Sequence, residues 1–180
     1  ITRIVTDADG ASATNSFVLT VAPVNDFPTL DSLGTVNLTE DFGAYTVNLS
    51  GIGSGAPNES QVLSVTAVSS NSAILTPTVL YTSPQTAGTL VLNSATNGYG
   101  VTHVTVRVND GGASNNIFSQ TLTVNVTGVN DLPVISSLAN QVMNEDGTLT
   151  LPFTVSDPET GAASLAVSAV SLNEAVIAGS

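Results

Sequence analysis

All but two of the 14 carboxylates in this 180-residue chain fall where turns or domain joints are predicted: Asp7, Asp9, Asp26, Glu40, Asp41, Glu59, Asp110, Asp131, Glu145, Asp146, Asp157 and Glu159. Only Asp31 and Glu174 lie elsewhere. Two basic residues, Arg3 and Arg107, oppose them, and the formal net charge is −12. A solubilising surface scatters both signs along its strand faces. Carboxylates gathered at loop ends without cationic partners repel one another and call for an external cation. Oxygen donors in a flexible setting suit Ca²⁺, which takes about 6–8 of them at about 2.3–2.6 Å. Mg²⁺ wants a tighter octahedron and zinc wants His or Cys; the chain has one His and no Cys.

The acids recur at a fixed interval. Val24-Asn25-Asp26-Phe27-Pro28 returns as Val129-Asn130-Asp131-Leu132-Pro133, 105 positions on (25 to 130). Glu40-Asp41 returns as Glu145-Asp146 at the same offset, and Phe17, Leu19 and Val21 correspond to Leu122, Val124 and Val126. A period this long is one whole small domain rather than a solenoid turn. The chain is read as three pieces: 1–27, the closing strands of a preceding repeat; 28–132, one complete repeat; and 133–180, the opening strands of a following one. Neither flank is a whole domain, so each is expected to be completed by neighbouring repeats or by other copies in a filament.

The elements that must position the acids are strands. Period-two alternation rich in Val and Thr, broken by Gly, Asn, Asp and Ser, runs through the chain, and no helical period is found. In the middle repeat it predicts strands over 35–39, 45–49, 62–68, 74–81, 88–92, 101–108 and 118–126. Pro77 marks the fourth as an edge or a bulge. Seven short strands in about a hundred residues predict an antiparallel, immunoglobulin-like β-sandwich. The flanks are expected to supply strands over 1–6 and 16–21, and three more within 133–180, with Leu165, Val167 and Ala169 matching Leu63, Val65 and Ala67.

Strand order then gathers the acids at two joints. At the lower joint Glu40 and Asp41 approach linker residues Asn130 and Asp131, and the loop bearing Asp157 and Glu159 descends onto the same point. At the upper joint Asn25 and Asp26 meet Glu59 and Asp110. Pro28 and Pro133 fix φ and hold the preceding residue extended, so each linker is drawn out. A divalent ion there would turn a hinge into a strut.

The phrases Val-Asn-Asp-x-Pro, Glu-Asp, Ser156-Asp157-Pro158-Glu159 and Val108-Asn109-Asp110-Gly111-Gly112 resemble the cadherin-like tandem repeats of large bacterial surface and secreted proteins. The resemblance spans essentially the whole chain. It implies calcium-stiffened rods in adhesion or matrix assembly, secreted or held at the cell surface, with a cell-surface or matrix ligand bound elsewhere in the protein. One departure stands out: the middle repeat has Ser54-Gly55-Ala56-Pro57-Asn58-Glu59 where the next has Asp-Pro-Glu, which predicts a weaker upper site.

Other chemistries find little support. Asp7-Ala8-Asp9-Gly10 opens like an EF-hand loop, but its twelfth position is Val18 where a bidentate Glu is required. A lone His103 on an alternating strand, with no nucleophile elbow, gives no Ser-His-Asp site, and the paired carboxylates lack aromatic sugar platforms. No catalytic residues are expected. Sequons at Asn37, Asn48, Asn58 and Asn125 are unremarkable in so Asn- and Thr-rich a chain. The acidity argues against nucleic acid and anionic membranes as partners, and no apolar run reaches the length of a membrane helix. The expected role is a non-enzymatic structural repeat of a stalk, filament or adhesin; the alternative is a carbohydrate- or protein-binding module of a surface protein.

Overall fold

Alternation in the middle of the chain becomes two facing sheets. The computed structural model describes residues 1–176, so the last four positions of the segment 133–180 lie outside the described residues. A hairpin of β1 (Thr2–Thr6) and β2 (Ser12–Ser16) comes first. The sandwich follows: β3 (Thr35–Thr39), β4 (Ala44–Leu49), β5 (Ser64–Ser69), β6 (Leu75–Leu80), β7 (Gly88–Ser94), β8 (Gly100–Asn109) and β9 (Ile117–Thr127). A two-residue pair, β10 (Val134–Ile135) and β11 (Val155–Ser156), lies beyond. One sheet has the order β3-β9-β8-β5 and the other β4-β7-β6. The chain is thus all-β, a sandwich of a four-stranded and a three-stranded sheet, and Pro77 lies on an edge strand, β6, as expected.

Inward positions of the long strands form the core: Leu90 and Leu92 from β7, Val104, Val106 and Val108 from β8, and Leu122, Val124 and Val126 from β9. Leu49, Ile52, Leu63, Ile74 and Leu75 close it. With no Trp or Cys in the chain, aliphatic side chains fill the gap between the sheets, and such burial contributes about 25 cal/mol per Å². Thr102 is a polar exception, fully buried, with its hydroxyl bonded to those of Ser69 (3.0 Å) and Ser70 (3.1 Å).

One strand departs from the antiparallel expectation. β3 pairs with β9 in parallel, Thr35 opposite Thr123 and Thr39 opposite Thr127. Both strands run toward the lower joint, because the chain enters the sandwich at one end and leaves at the other. This parallel pair delivers Glu40, just past β3, to the linker just past β9.

Two flank expectations are corrected. The strand expected over 16–21 forms at Ser12–Ser16 instead, and Phe17, Leu19 and Val21 are exposed. The tight turn sets this register: Asp7 Oδ1 accepts from Asp9 N and Ala11 N, and Phe17 N already bonds to Ile1 O. In that register Thr2 pairs with Ser16, so Val18 onward lies past the paired residues. Similarly, Leu165, Val167 and Ala169 lie in irregular chain after a short 3₁₀ turn, Ala162–Ser164, rather than in a third strand.

Candidate metal centre

At the lower joint three carboxylates converge from separate parts of the chain. Glu40 follows β3, Asp131 lies in the linker, and Glu159 comes from the loop after β11. One ligand oxygen from each lies within 4.8 Å of the others. Ca²⁺ bonded at about 2.3–2.6 Å can bridge oxygens up to about 5 Å apart. Glu40 is 7% exposed. Its Oε1 accepts from Val129 N, which orients the carboxylate. Its Oε2 is buried without any partner, as are Asp131 Oδ2 and Glu159 Oε1. Three carboxylates gathered this closely, each with an orphaned buried oxygen, are costly unless a cation completes them. A donor set of carboxylate oxygen alone suits a hard divalent cation better than zinc.

The surrounding residues take different parts. Glu159 Oε2 accepts from Asp131 N at 3.0 Å, fastening the loop to the linker. Asp157 Oδ1 caps that loop, accepting from Glu159 N (3.1 Å) and Thr160 N (2.7 Å). Asp41 and Asp146, at equivalent places in the two repeats, both take left-handed backbone (φ 55° and 60°), so the Glu-Asp turn itself recurs. Asp41 is exposed and its Oδ1 accepts from Asn97 N at 3.0 Å. Asn130 is exposed, and its amide donates to Asp131 O at 2.8 Å. Asp41 and Asp157 are thus not among the three carboxylates that converge, and Asn130 adjoins them through the linker.

Removal from water raises the Asp131 carboxyl above its ordinary value of 3.8, and the charges of Glu159, Glu40, Asp41 and Asp157 push it further in the same direction. A carboxyl raised in the folded state opposes folding when ionised, and that penalty is relieved as pH falls through the folded value toward 3.8. Without divalent ions, Asp131→Asn should therefore melt above the parent at neutral pH, and the gap should close on acidification through that window. A gap independent of pH in a calorimetric or circular-dichroism melt would contradict this.

The upper joint repeats half of the plan. Asp26 N donates to Glu59 Oε1 at 2.9 Å, as Asp131 N does to Glu159. Asn25 Nδ2 donates to Asp26 O at 3.0 Å, as Asn130 does to Asp131. Glu59 thus takes the place of Glu159 despite its different loop. Asp110, 3% exposed, accepts from Gly112 N (2.8 Å) and from Asn25 Nδ2 (3.1 Å). A Cβ at Gly112 would fall on the Asn25 amide, so only glycine leaves room for this contact. The Asp26 carboxylate stays exposed. Gln61 escaped the sequence analysis: its Nε2 donates to Asn25 Oδ1 at 2.6 Å, while its Oε1, like Glu59 Oε2, is buried without a partner among the described residues.

No protein-family model matches the chain, and no curated protein matches it. Among solved structures it is similar to human CDH23 repeats EC21–23, with 16% identity and a TM-score of 0.45, over 86% of this chain and 52% of that one. It is also similar to domains 4 and 5 of the S-layer protein SbsC (17%, TM-score 0.38, 70% and 65%). Titin domains z1z2, solved with telethonin, match at 14% and 0.40, over 64% and 55%. Further matches are to hydrolase chains, a secreted serine protease and an endo-fucoidan hydrolase among them. The chain spans less than two thirds of the length of each of the first three. These are likenesses of fold alone. No helix among the described residues is long and apolar enough to cross a membrane.

Proposed function

We propose that this chain is a non-enzymatic structural segment of an extracellular stalk, filament or adhesin, with its sandwich domains held in line by Ca²⁺ at the joints. The observation that carries this reading is the convergence of Glu40, Asp131 and Glu159, each of which has one buried carboxylate oxygen without a partner among the described residues. Glu40 belongs to the middle repeat, 28–132, Asp131 to the linker and Glu159 to the following repeat. An ion bonded to all three fixes the orientation of one domain on the next. Asp41, Asn130 and Asp157 add negative potential and backbone caps around it. Asn25, Asp26, Glu59 and Asp110, with Gln61, form the corresponding half-site at the upper joint. Neighbouring repeats, of the same chain or of other copies in a filament, are the partners this arrangement requires. Any cell-surface or matrix ligand is the business of domains at a distance.

The test is small-angle scattering of the chain in calcium and in chelator, with calorimetric titration of calcium. Heat of binding is expected, together with a longer, stiffer particle in calcium. No heat and superimposable scattering curves would overturn the proposal.

A further inference from the structure

No strand of the sandwich contains a carboxylate, although the whole chain carries 14 acids. The same short phrase recurs in it instead: Thr35-Val36-Asn37-Leu38-Thr39 in β3, Thr46-Val47-Asn48-Leu49-Ser50 at β4, and Thr123-Val124-Asn125-Val126-Thr127 in β9. The first and third already pair in register, Asn37 opposite Asn125, and Asn125 Nδ2 donates to Asn37 Oδ1 at 2.8 Å. β3 ends its sheet, with no strand on its far side among the described residues. Thr123 N bonds to Gly34 O, and Glu40 N to Thr127 O. Even-numbered residues therefore face β9, and Thr35, Asn37 and Thr39 turn their N–H and C=O groups outward. Natural edges are blunted by charge, proline or a bulge; β3 carries no charged residue and no proline.

We infer that β3 is a self-association edge, whose occupant is β3 of a second copy of this chain. Its side-chain sequence, Thr-x-Asn-x-Thr, reads the same in both directions about Asn37. A two-fold axis perpendicular to the sheet at Asn37 sets the two strands antiparallel, Asn37 opposite Asn37 and Thr35 opposite Thr39. Every outward N–H and C=O of these three residues then gains a partner, and the two four-stranded sheets become one continuous sheet. The contact is isologous and closed. It continues the pairing that β3 makes with β9, and no like charges face each other across it. The unused Asn37 amide nitrogen extends the ladder in which Asn125 is already the donor. This inference rests on the fold and not on the calcium reading.

The test is sedimentation of the full chain over a range of concentrations, in calcium and in chelator, at about 0.15 M salt, where the screening length is about 8 Å. A concentration-dependent dimer is expected in both. Asn37→Lys places like charges opposite each other, and Thr35→Pro removes an outward N–H while leaving the pairing with β9 intact. Each should weaken the dimer about tenfold or more, with the thermal melt of the monomer checking that the fold survives. Thr46→Lys, on the edge of the other sheet, should leave dimerisation unchanged. A chain that stays monomeric throughout, or a dimer indifferent to both β3 substitutions, would overturn the inference.

Discussion

Glu40→Gln is expected to move the melting temperature in opposite directions with and without calcium. The glutamine keeps an oxygen where Glu40 Oε1 accepts from Val129 N. It places an NH₂ where Oε2 lies buried and unpartnered near Asp131 and Glu159. In chelator, a donor replaces an orphaned acceptor among like charges, and the fold should gain about 1–2 kcal/mol. In calcium, the ion loses one anionic ligand from the nine-tenths-buried side of its cage. Loss of one such ligand should weaken binding by about 100-fold or more. At calcium one hundred times the parent dissociation constant, the ion stabilises the parent by about 2.7 kcal/mol, and the variant would keep only about 0.4 kcal/mol of that. Melts recorded in the two buffers decide the matter. A shift of the same sign in both would mean that the three carboxylates are an ordinary solvated cluster.

Asp110→Ala should be the most damaging single change at the upper joint, and it should be damaging in chelator as well as in calcium. Asp110 is buried and accepts from Gly112 N and Asn25 Nδ2. Asn25 in turn donates to Ser114 O at 2.9 Å and accepts from Gln61 Nε2, and Asn115 Nδ2 donates to its carbonyl at 3.1 Å. This network fastens the upper linker to the sandwich by hydrogen bonds alone. Removing the carboxylate strands two donors beneath the surface, at a cost of roughly 3 kcal/mol. For a domain of this size that lowers the melting temperature by about 10–20 °C. Asp110→Asn retains one acceptor for Gly112 N and should recover part of the loss. A melt within a few degrees of the parent would show that the network is dispensable.

The two joints differ in how they are held. The upper linker is gripped by neutral donors closing on a buried Asp110. The lower one brings three carboxylates together with their spare oxygens unanswered. Apolar burial sets the shape of the sandwich between them, while polar groups at its two ends set the direction in which the chain enters and leaves.

Much of this was readable in order of residues alone. A strand of period two buries every other side chain, so Val104, Val106 and Val108, or Leu122, Val124 and Val126, identify themselves as core by spacing. Turn-forming residues end the strands, and the carboxylates sit among those turns; strand order then places Glu40, Asp131 and Glu159 at one joint. These are local properties, carried by backbone geometry and solvation, and need no knowledge of what lies across the gap. Partnership is different. That β3 would run parallel to β9, that the first hairpin would pair Ser12–Ser16 rather than 16–21, that 165–169 would stay irregular, and that Gln61 would turn its amide onto Asn25 all depend on hydrogen bonds between separate segments. So does the one feature on which the functional reading turns, the stranding of three carboxylate oxygens away from water. Composition determined which groups were present and where along the chain they would gather; only the packed structure decided which of them would be left without a partner, because desolvation is a property of neighbours and not of residues.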